Sequence, residues 1–185
     1  MMMPAGGVLF PARDLDEPAL VRATRAGDME ALAELYRRFA PALMGVAFKL
    51  LQSREAAEDV LHDVFVGLPE ALRKYDERGR LGAWLKQVTA RVALSVLRRE
   101  ETASRLEPTI VPAPAGDVHA LLTLESAVAA LPGTLRVVLV LKEIEGFSHA
   151  EIAGMLGISK GASEVRLHRA LVALRAFIAK GERDS

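Results

Sequence analysis

Apolar residues recur at every third or fourth position along most of this chain, and that spacing predicts amphipathic helices. Together with capping residues, the pattern in the first half predicts four helices, at 18–26, from Asp28 to about Leu51, from Ser53 to about Arg73 and from Leu81 to about Glu101. Pro41 lies inside the second of these helices and is expected to kink it. Gly79 and Gly82 interrupt the pattern in the polar segment YDERGRLG, which is therefore predicted to be a loop.

The helical pattern stops between residues 102 and 117, in the segment TASRLEPTIVPAPAGD. Its prolines and glycine are typical of an extended, flexible linker. Beyond it, the pattern predicts helices near 118–130, 132–145, 148–156 and 159–179. The run VVLVL at 137–141 is rich in β-branched residues, but its helical neighbours and Pro132 at a first-turn position favour a buried helix. We therefore expect an all-α protein with two small helical domains, residues 1–101 and 118–185, joined by a linker at 102–117.

The segment from Ser148 to Arg175 has the pattern of a helix-turn-helix. Ser148 and Glu151 are spaced as a capping box, which predicts the start of a short helix. Gly157 can adopt the left-handed conformation that ends this helix, and Ser159 can cap the next one. We therefore expect the C-terminal domain to be a helix-turn-helix domain.

A helical wheel that starts at Lys160 divides the second of these helices into two faces. The face predicted to be buried carries Leu167, Leu171, Leu174 and Ile178, and the opposite face carries Ala162, Val165, Arg166 and Arg169. Small apolar residues can contact thymine methyl groups, and arginines can reach guanine edges or phosphates, so the second face suits the major groove of DNA. A solvated face without a ligand is the alternative for this segment taken alone, and the carboxylate of Glu164 is unfavourable near phosphates.

The helix predicted from Leu81 has one stripe that combines an aromatic ring, an amide and two arginines: Trp84, Gln87, Arg91 and Arg98. This combination suits single-stranded DNA, because the ring can stack on a base and the cations can follow the phosphates. The alternative is a half-buried tryptophan beneath arginines that extend to solvent.

The helix predicted from Ser53 has an acidic face opposite its apolar one. The apolar face carries Ala57, Val60, Leu61, Val64, Phe65 and Leu68, and the acidic face carries Glu55, Glu58, Asp59, His62 and Asp63, with Val66 exposed among them. A single histidine makes a poor metal site, so we expect no metal here. A docking surface for a basic helix of a partner protein is the better interpretation.

Composition narrows the possible functions without selecting one. The 24 basic and 24 acidic residues cancel, but residues 70–100 and 160–180 are predominantly basic, whereas 49–69 and 101–150 are predominantly acidic. The absence of cysteine excludes disulfides and thiolate chemistry. We find no secretory leader and no apolar stretch of about 18 residues, so we expect a cytoplasmic protein without membrane contact. We also expect no cofactor and no enzymatic activity, because no phosphate-binding glycine loop or Ser/His/Asp arrangement is recognisable.

Three segments in this order resemble the bacterial RNA polymerase sigma factors of the extracytoplasmic-function (ECF) group, in the sigma-70 family. They are AEDVLHDVF, RGRLGAWLKQVTARVALSVLRR and, after the linker, LPGTLRVVLVLKEIEGFSHAEIAGMLGISKGASEVRLHRALVALR. The resemblance extends over about residues 19–178. It implies a promoter-specificity factor whose region 2 binds the clamp helices of the polymerase core and opens the minus-10 element. Its region 4 would bind the minus-35 element and the polymerase flap.

The resemblance also implies roles for particular residues. The residues that it implies bind the polymerase core are Glu58, Asp59, His62 and Asp63. Contact with the opened nontemplate strand of the minus-10 element falls on Arg80, Trp84, Lys86, Gln87 and Arg91. Contact with the minus-35 element falls on Ser159, Lys160, Ala162, Ser163, Val165, Arg166 and Arg169.

The expected partners are therefore the polymerase core, promoter DNA and an anti-sigma factor, and we expect no homo-oligomer. The chain departs from the family pattern at Ser163 and Glu164 in the recognition helix, at Leu81 after the loop glycine, and at Pro69 in the clamp-docking segment, so no promoter sequence is predicted. The alternative hypothesis is an all-helical interaction protein, or a decoy that binds polymerase or an anti-sigma factor without reading DNA. An enzyme is a more remote third.

Overall fold

In a computed structural model of the 185-residue chain, the structure describes residues 15–76, 80–106 and 124–181, without the side chains of 100–106 and 180–181. All regular secondary structure in these ranges is helical, as expected. The helices are α1 (Glu17–Arg25), α2 (Met29–Leu51), α3 (Arg54–Val66), α4 (Leu68–Leu72), α5 (Leu81–Leu106), α6 (Leu124–Ala129), α7 (Gly133–Leu139, continued by a π-helical turn at Val140–Ile144), α8 (His149–Leu156) and α9 (Lys160–Gly181).

Side-chain caps start the first helices. The Asp28 carboxylate accepts from the backbone N–H groups of Glu30 and Ala31 at 2.8 and 3.1 Å, and Ser53 Oγ accepts from Ala56 N at 3.2 Å. Both predicted caps are thus confirmed, because each side chain satisfies N–H groups that have no partner within the helix.

Two predicted boundaries are wrong. The helix expected from Ser53 to about Arg73 is broken at Gly67 into α3 and α4, because Pro69 suits the first turn of a new helix rather than the middle of a long one. The helix expected from Leu81 to about Glu101 continues to Leu106. The sequence has no proline between Leu81 and Pro108, so no proline in that stretch ends the helix earlier. The remainder of the expected linker, 107–117, lies outside the described residues, as does the first part of the helix expected at 118–130.

The main hydrophobic core is formed where α2 packs against α3 and α5, and it includes the fully buried Leu35, Leu43, Leu50, Leu85 and Leu68. Residues from the second half of the chain join the same core, among them Val138, Leu141, Phe147, Ile152 and Met155. The segment VVLVL is buried in a helix, as predicted. A smaller cluster of Leu131, Leu139 and Ala170 holds α6 and α7 against α9. The helical unit α1–α5 and the helical unit α6–α9 are therefore packed against each other.

A membrane span would need a longer and more apolar helix than any found in the described ranges.

Candidate nucleic-acid and protein interfaces

Helix α3 separates its apolar and acidic residues as predicted. Its core-facing residues are Ala57, Val60, Leu61, Val64 and Phe65, followed by Leu68 of α4, and all are buried. The residues predicted for its acidic face, Glu55, Glu58, Asp59, His62 and Asp63, are exposed together with Val66. Arg54 at the start of the helix is exposed as well, and its Nε lies 2.9 Å from Glu58 Oε1. We call the exposed set Glu55, Glu58, Asp59, His62 and Asp63 the acidic ridge. Within the part of the chain that the structure describes, no three histidine or carboxylate side chains come together as a metal site.

An apolar groove runs beside the acidic ridge, between α2 and α3. Its volume is about 500 Å³, and its lining residues are Met29, Leu32, Ala33, Tyr36, His62, Phe65, Val66 and Pro69. Met29 and Val66 are 71% and 66% exposed, unusually high values for large apolar side chains. The sequence analysis predicted that Val66 is exposed, but it did not predict that residues of α2 line a groove beside it. Met29 and Tyr36 are seven residues apart on that helix, a spacing that would have placed them on one face.

The start of α5 is held in place by contacts from α1. The Leu81 backbone N–H donates to Glu17 Oε1 at 3.3 Å, so the carboxylate satisfies a free N–H at the helix N-terminus. Arg25 donates to the carbonyl oxygens of Leu72 and Tyr75, each at 2.8 Å. The Tyr75 ring in turn packs against Trp84, with 5.1 Å between ring centroids. These contacts fix a half-buried Trp84 at the edge of the core.

The structure brings four of the five predicted minus-10 residues to one cavity of about 670 Å³: Arg80, Trp84, Lys86 and Gln87. We call this cavity the interdomain groove, because Glu145, Gly146, Phe147 and Glu151 of the second unit line it as well. Arg91 is exposed and does not line the groove. In this arrangement the predicted strand-binding surface therefore faces the second helical unit.

Glu145 connects the two units through ion pairs. Its side chain is only 3% exposed, and its two carboxylate oxygens accept from Lys86 Nζ at 2.8 Å and Lys49 Nζ at 3.2 Å. Arg98 Nη1 adds a hydrogen bond to the Met155 carbonyl oxygen at 3.3 Å. These long-range contacts were not predicted, since nothing in the local sequence pattern pairs residue 145 with residues 49 and 86.

The helix-turn-helix begins with a complete capping box. Ser148 Oγ accepts from Glu151 N at 3.2 Å, and the Glu151 carboxylate accepts from Ser148 N at 2.8 Å and from Ser148 Oγ at 2.7 Å. Hydrogen bonds from the Ser148 side chain and backbone lower the pKa of Glu151. Gly157 ends α8 with a φ of 65°, and Ser159 Oγ accepts from Ala162 N at 3.1 Å to start α9. The helices and turn predicted for this motif are thus confirmed.

Most of the predicted minus-35 residues lie on accessible parts of α9. Ser159, Lys160, Val165 and Arg169 are exposed, and Ala162 and Arg166 are half-buried. Glu164 is also exposed, and its carboxylate lies 3.7 Å from Lys160 Nζ.

Two predictions about α9 are wrong. Ser163, assigned to DNA contact, is fully buried, and its Oγ forms a 2.9 Å hydrogen bond with His149 Nδ1 on α8. This hydrogen bond links the two helices of the motif and keeps the hydroxyl away from solvent in the arrangement described. Ile178, assigned to the buried stripe, is 46% exposed, because α9 extends past the helices against which Leu167, Leu171 and Leu174 pack. Ala170, which lies beside that stripe on the wheel, is fully buried.

The described residues form helices only, and α8 and α9 form a helix-turn-helix, a motif that many DNA-binding proteins use. Comparison with known families narrows this class. Residues 35–102 match the model of sigma-70 region 2, and residues 121–174 match that of sigma-70 region 4.

Individual sigma factors agree with this match. The chain is 31% identical over 166 residues to the RNA polymerase sigma factor CarQ of Myxococcus xanthus, covering 85% of this chain and 95% of that protein. It is 31% identical over 183 residues to the ECF RNA polymerase sigma factor SigE of Mycolicibacterium smegmatis, covering 89% and 70%. The chain therefore belongs to the ECF group of the sigma-70 family.

Solved structures show the same fold. The structure of CnrH in complex with the cytosolic domain of CnrY matches at 25% identity with a TM-score of 0.54, covering 88% of this chain and 96% of that one. The sigma factor RpoE in complex with the anti-sigma factor NepR from Bartonella quintana matches at 22% identity with a TM-score of 0.58, covering 80% and 96%. As a sigma factor, the chain binds RNA polymerase core, recognises the minus-35 and minus-10 promoter elements and enables transcription initiation.

Proposed function

We propose that this sigma factor binds the polymerase core and the two promoter elements through three separate surfaces. The acidic ridge and its neighbouring apolar groove bind the polymerase core, the start of α5 contacts the opened minus-10 strand, and α9 reads the minus-35 element. The observation that carries this proposal is the combination of a rigidly capped helix-turn-helix with the exposed Val165 and Arg169 on its second helix. We place the boundary between the two domains within 107–117, after the end of α5.

The minus-35 surface of the proposal consists of Ser159, Lys160, Ala162, Val165, Arg166 and Arg169, without the buried Ser163. Arg169 is exposed and Arg166 is half-buried, which leaves both able to contact guanine edges or phosphates. The apolar Val165 beside them is 49% exposed and can contact a thymine methyl group. Lys160 lies at the N-terminus of α9, where the helix dipole also favours a phosphate.

The minus-10 surface consists of Arg80, Trp84, Lys86, Gln87 and Arg91. Trp84 supplies an aromatic face for a base, and the cations supply counter-charges for the strand that carries it. The Tyr75 ring packs against Trp84, and Arg25 donates to the Tyr75 carbonyl oxygen, so the tryptophan ring is positioned before DNA binds.

The core-binding surface consists of Glu58, Asp59, His62 and Asp63 with the apolar groove. A basic helix with apolar residues on one side would find both complementary charge and a place for its side chains here. His62 belongs to both parts of the surface. We further propose that an anti-sigma factor binds this chain, because NepR binds the similar sigma factor RpoE and the cytosolic domain of CnrY binds the similar protein CnrH. We also propose that the protein acts in the cytoplasm, where the polymerase and the chromosome are.

The minus-35 assignment is tested with holoenzyme reconstituted from this chain and bacterial core polymerase. Transcription from genomic fragments of the source organism first identifies a promoter, and affinity for a duplex with its minus-35 element is then measured. Arg169→Ala should weaken binding by about 1–3 kcal/mol, or about 5- to 150-fold, if the arginine reads a base. Arg73→Ala is the matched control, because it removes an exposed arginine from the other unit. Equal affinities of R169A and wild type would contradict the assignment.

The core-binding assignment is tested by charge reversal on the acidic ridge. Asp59→Arg should weaken the affinity for core polymerase by about tenfold or more, because it places like charges opposite each other. Glu143→Arg is the control, since it reverses an exposed charge in the second unit. An unchanged affinity of D59R for core polymerase would show that the acidic ridge does not bind the core. A chain that binds core but starts transcription nowhere would favour the decoy hypothesis.

A further inference from the structure

Lys49 and Lys86 meet at one carboxylate although they belong to different helices. Lys49 lies near the end of α2 and Lys86 in the second turn of α5, and their Nζ atoms bind the two oxygens of Glu145 at 3.2 and 2.8 Å. The two lysine side chains remain 42% and 38% exposed, whereas Glu145 is 3% exposed. The lysines therefore stay partly hydrated while the carboxylate is removed from water.

Removal of Glu145 would leave two positive charges close together beside the groove. Like charges at such a separation repel each other unless an anion lies between them. A backbone phosphate meets the same requirement as the carboxylate, because it also presents two anionic oxygens to two ammonium groups. Lys86 already belongs to the proposed minus-10 surface, but Lys49 does not.

We propose that Lys49 and Lys86 form a binding site for a backbone phosphate of the opened promoter strand, and that Glu145 occupies this site while the two helical units are packed together. The proposal rests on the proposed function of the minus-10 surface and adds Lys49 to it. Lys86 and Trp84 line the same cavity, so a strand held by its phosphate at this site could place a base near the tryptophan ring.

The packed arrangement is then a latent form of the chain. Glu145 neutralises the two lysines, Phe147 lies buried in the shared core, and Glu151 presents a second carboxylate to the groove. Glu145 lowers the net charge of the cluster from two positive charges to one, so a DNA strand is attracted less strongly to this surface. Separation of the two units exposes Lys49, Lys86 and Trp84 together, so strand binding and unit separation are coupled.

The test is a titration of the full-length chain with fluorescein-labelled single-stranded DNA, followed by anisotropy at several salt concentrations. Glu145→Gln keeps the shape of the side chain and removes its charge, so E145Q should bind more tightly than wild type. The slope of log affinity against log salt should become steeper by about 0.7, the value for one added phosphate contact on a single strand. Circular dichroism of each variant verifies that the helices are retained.

Lys49→Ala is then added to E145Q. The double variant should lose the added slope of about 0.7 and bind more weakly regardless of DNA sequence. Arg37→Ala in the same background is the matched control: Arg37 also lies on α2, about 18 Å from Lys49 along the helix, and pairs with Glu34. An E145Q chain that binds no more tightly than wild type, or a K49A addition with no effect, overturns the proposal.

Trp84→Ala in the E145Q background separates this proposal from the function on which it rests. If W84A weakens binding and K49A does not, the minus-10 surface stands and only the phosphate site at Lys49 is lost. If neither substitution weakens binding, the minus-10 surface is wrong as well.

Discussion

The capping box at the start of α8 gives a quantitative prediction about the helix-turn-helix. Ser148→Ala removes the hydroxyl that accepts from Glu151 N and donates to the Glu151 carboxylate. Ser148 and Glu151 are both exposed, so water can replace part of the two hydrogen bonds that the substitution removes. The free energy of unfolding should therefore fall by about 1 kcal/mol, which is within the usual range for an N-cap serine. Ser148→Thr is the matched control, because threonine retains a hydroxyl that can cap the helix.

The same substitution should alter the pH dependence of stability. Hydrogen bonds from Ser148 lower the pKa of Glu151 below its unfolded value, so this carboxylate stabilises the fold above the unfolded pKa. That contribution is lost as the pH falls through the folded pKa. The difference between S148A and wild type should therefore be largest at neutral pH and smaller in acid, although the pH-independent bond to Glu151 N keeps it above zero.

Urea denaturation followed by far-ultraviolet circular dichroism, at neutral pH and through the acid range, measures both effects. Equal stability of S148A and wild type at neutral pH, or a loss of stability that is the same at every pH, would contradict these expectations.

Two further predictions concern α9. Ser163→Ala should leave the affinity for the minus-35 duplex unchanged, because the buried hydroxyl contacts His149 rather than DNA. Weaker DNA binding by S163A without a loss of stability would indicate that Ser163 contacts DNA. Ile178→Ser should change the free energy of unfolding by no more than about 0.5 kcal/mol in thermal or urea denaturation, because the side chain is largely outside the core, and a larger loss would indicate that it is buried after all.

Sequence patterns predicted those features of the molecule that depend on neighbours within a few turns. The caps Asp28, Ser53, Ser148 and Ser159 bond to residues two or three positions away, so their roles can be read locally. The acidic ridge was predictable for the same reason, since one strong apolar stripe on α3 leaves the remaining positions to solvent.

Features that depend on distant parts of the chain were not predictable in this way. A wheel assigned Ile178 to the core, but how far other helices cover α9 is a tertiary property. The pairing of Glu145 with Lys49 and Lys86 depends on how the two units pack together. The part of the interdomain groove contributed by the second unit therefore could not be found by reading either half alone.

The most direct test of the account is to map the transcription start sites that this chain confers on core polymerase. Purified chain and core polymerase are incubated with genomic DNA of the source organism, and the 5′ ends of the transcripts are compared with those made by core alone. Our account predicts new start sites that share two upstream motifs at minus-35 and minus-10, and predicts that R169A loses them. Binding to core without any new start site would contradict it.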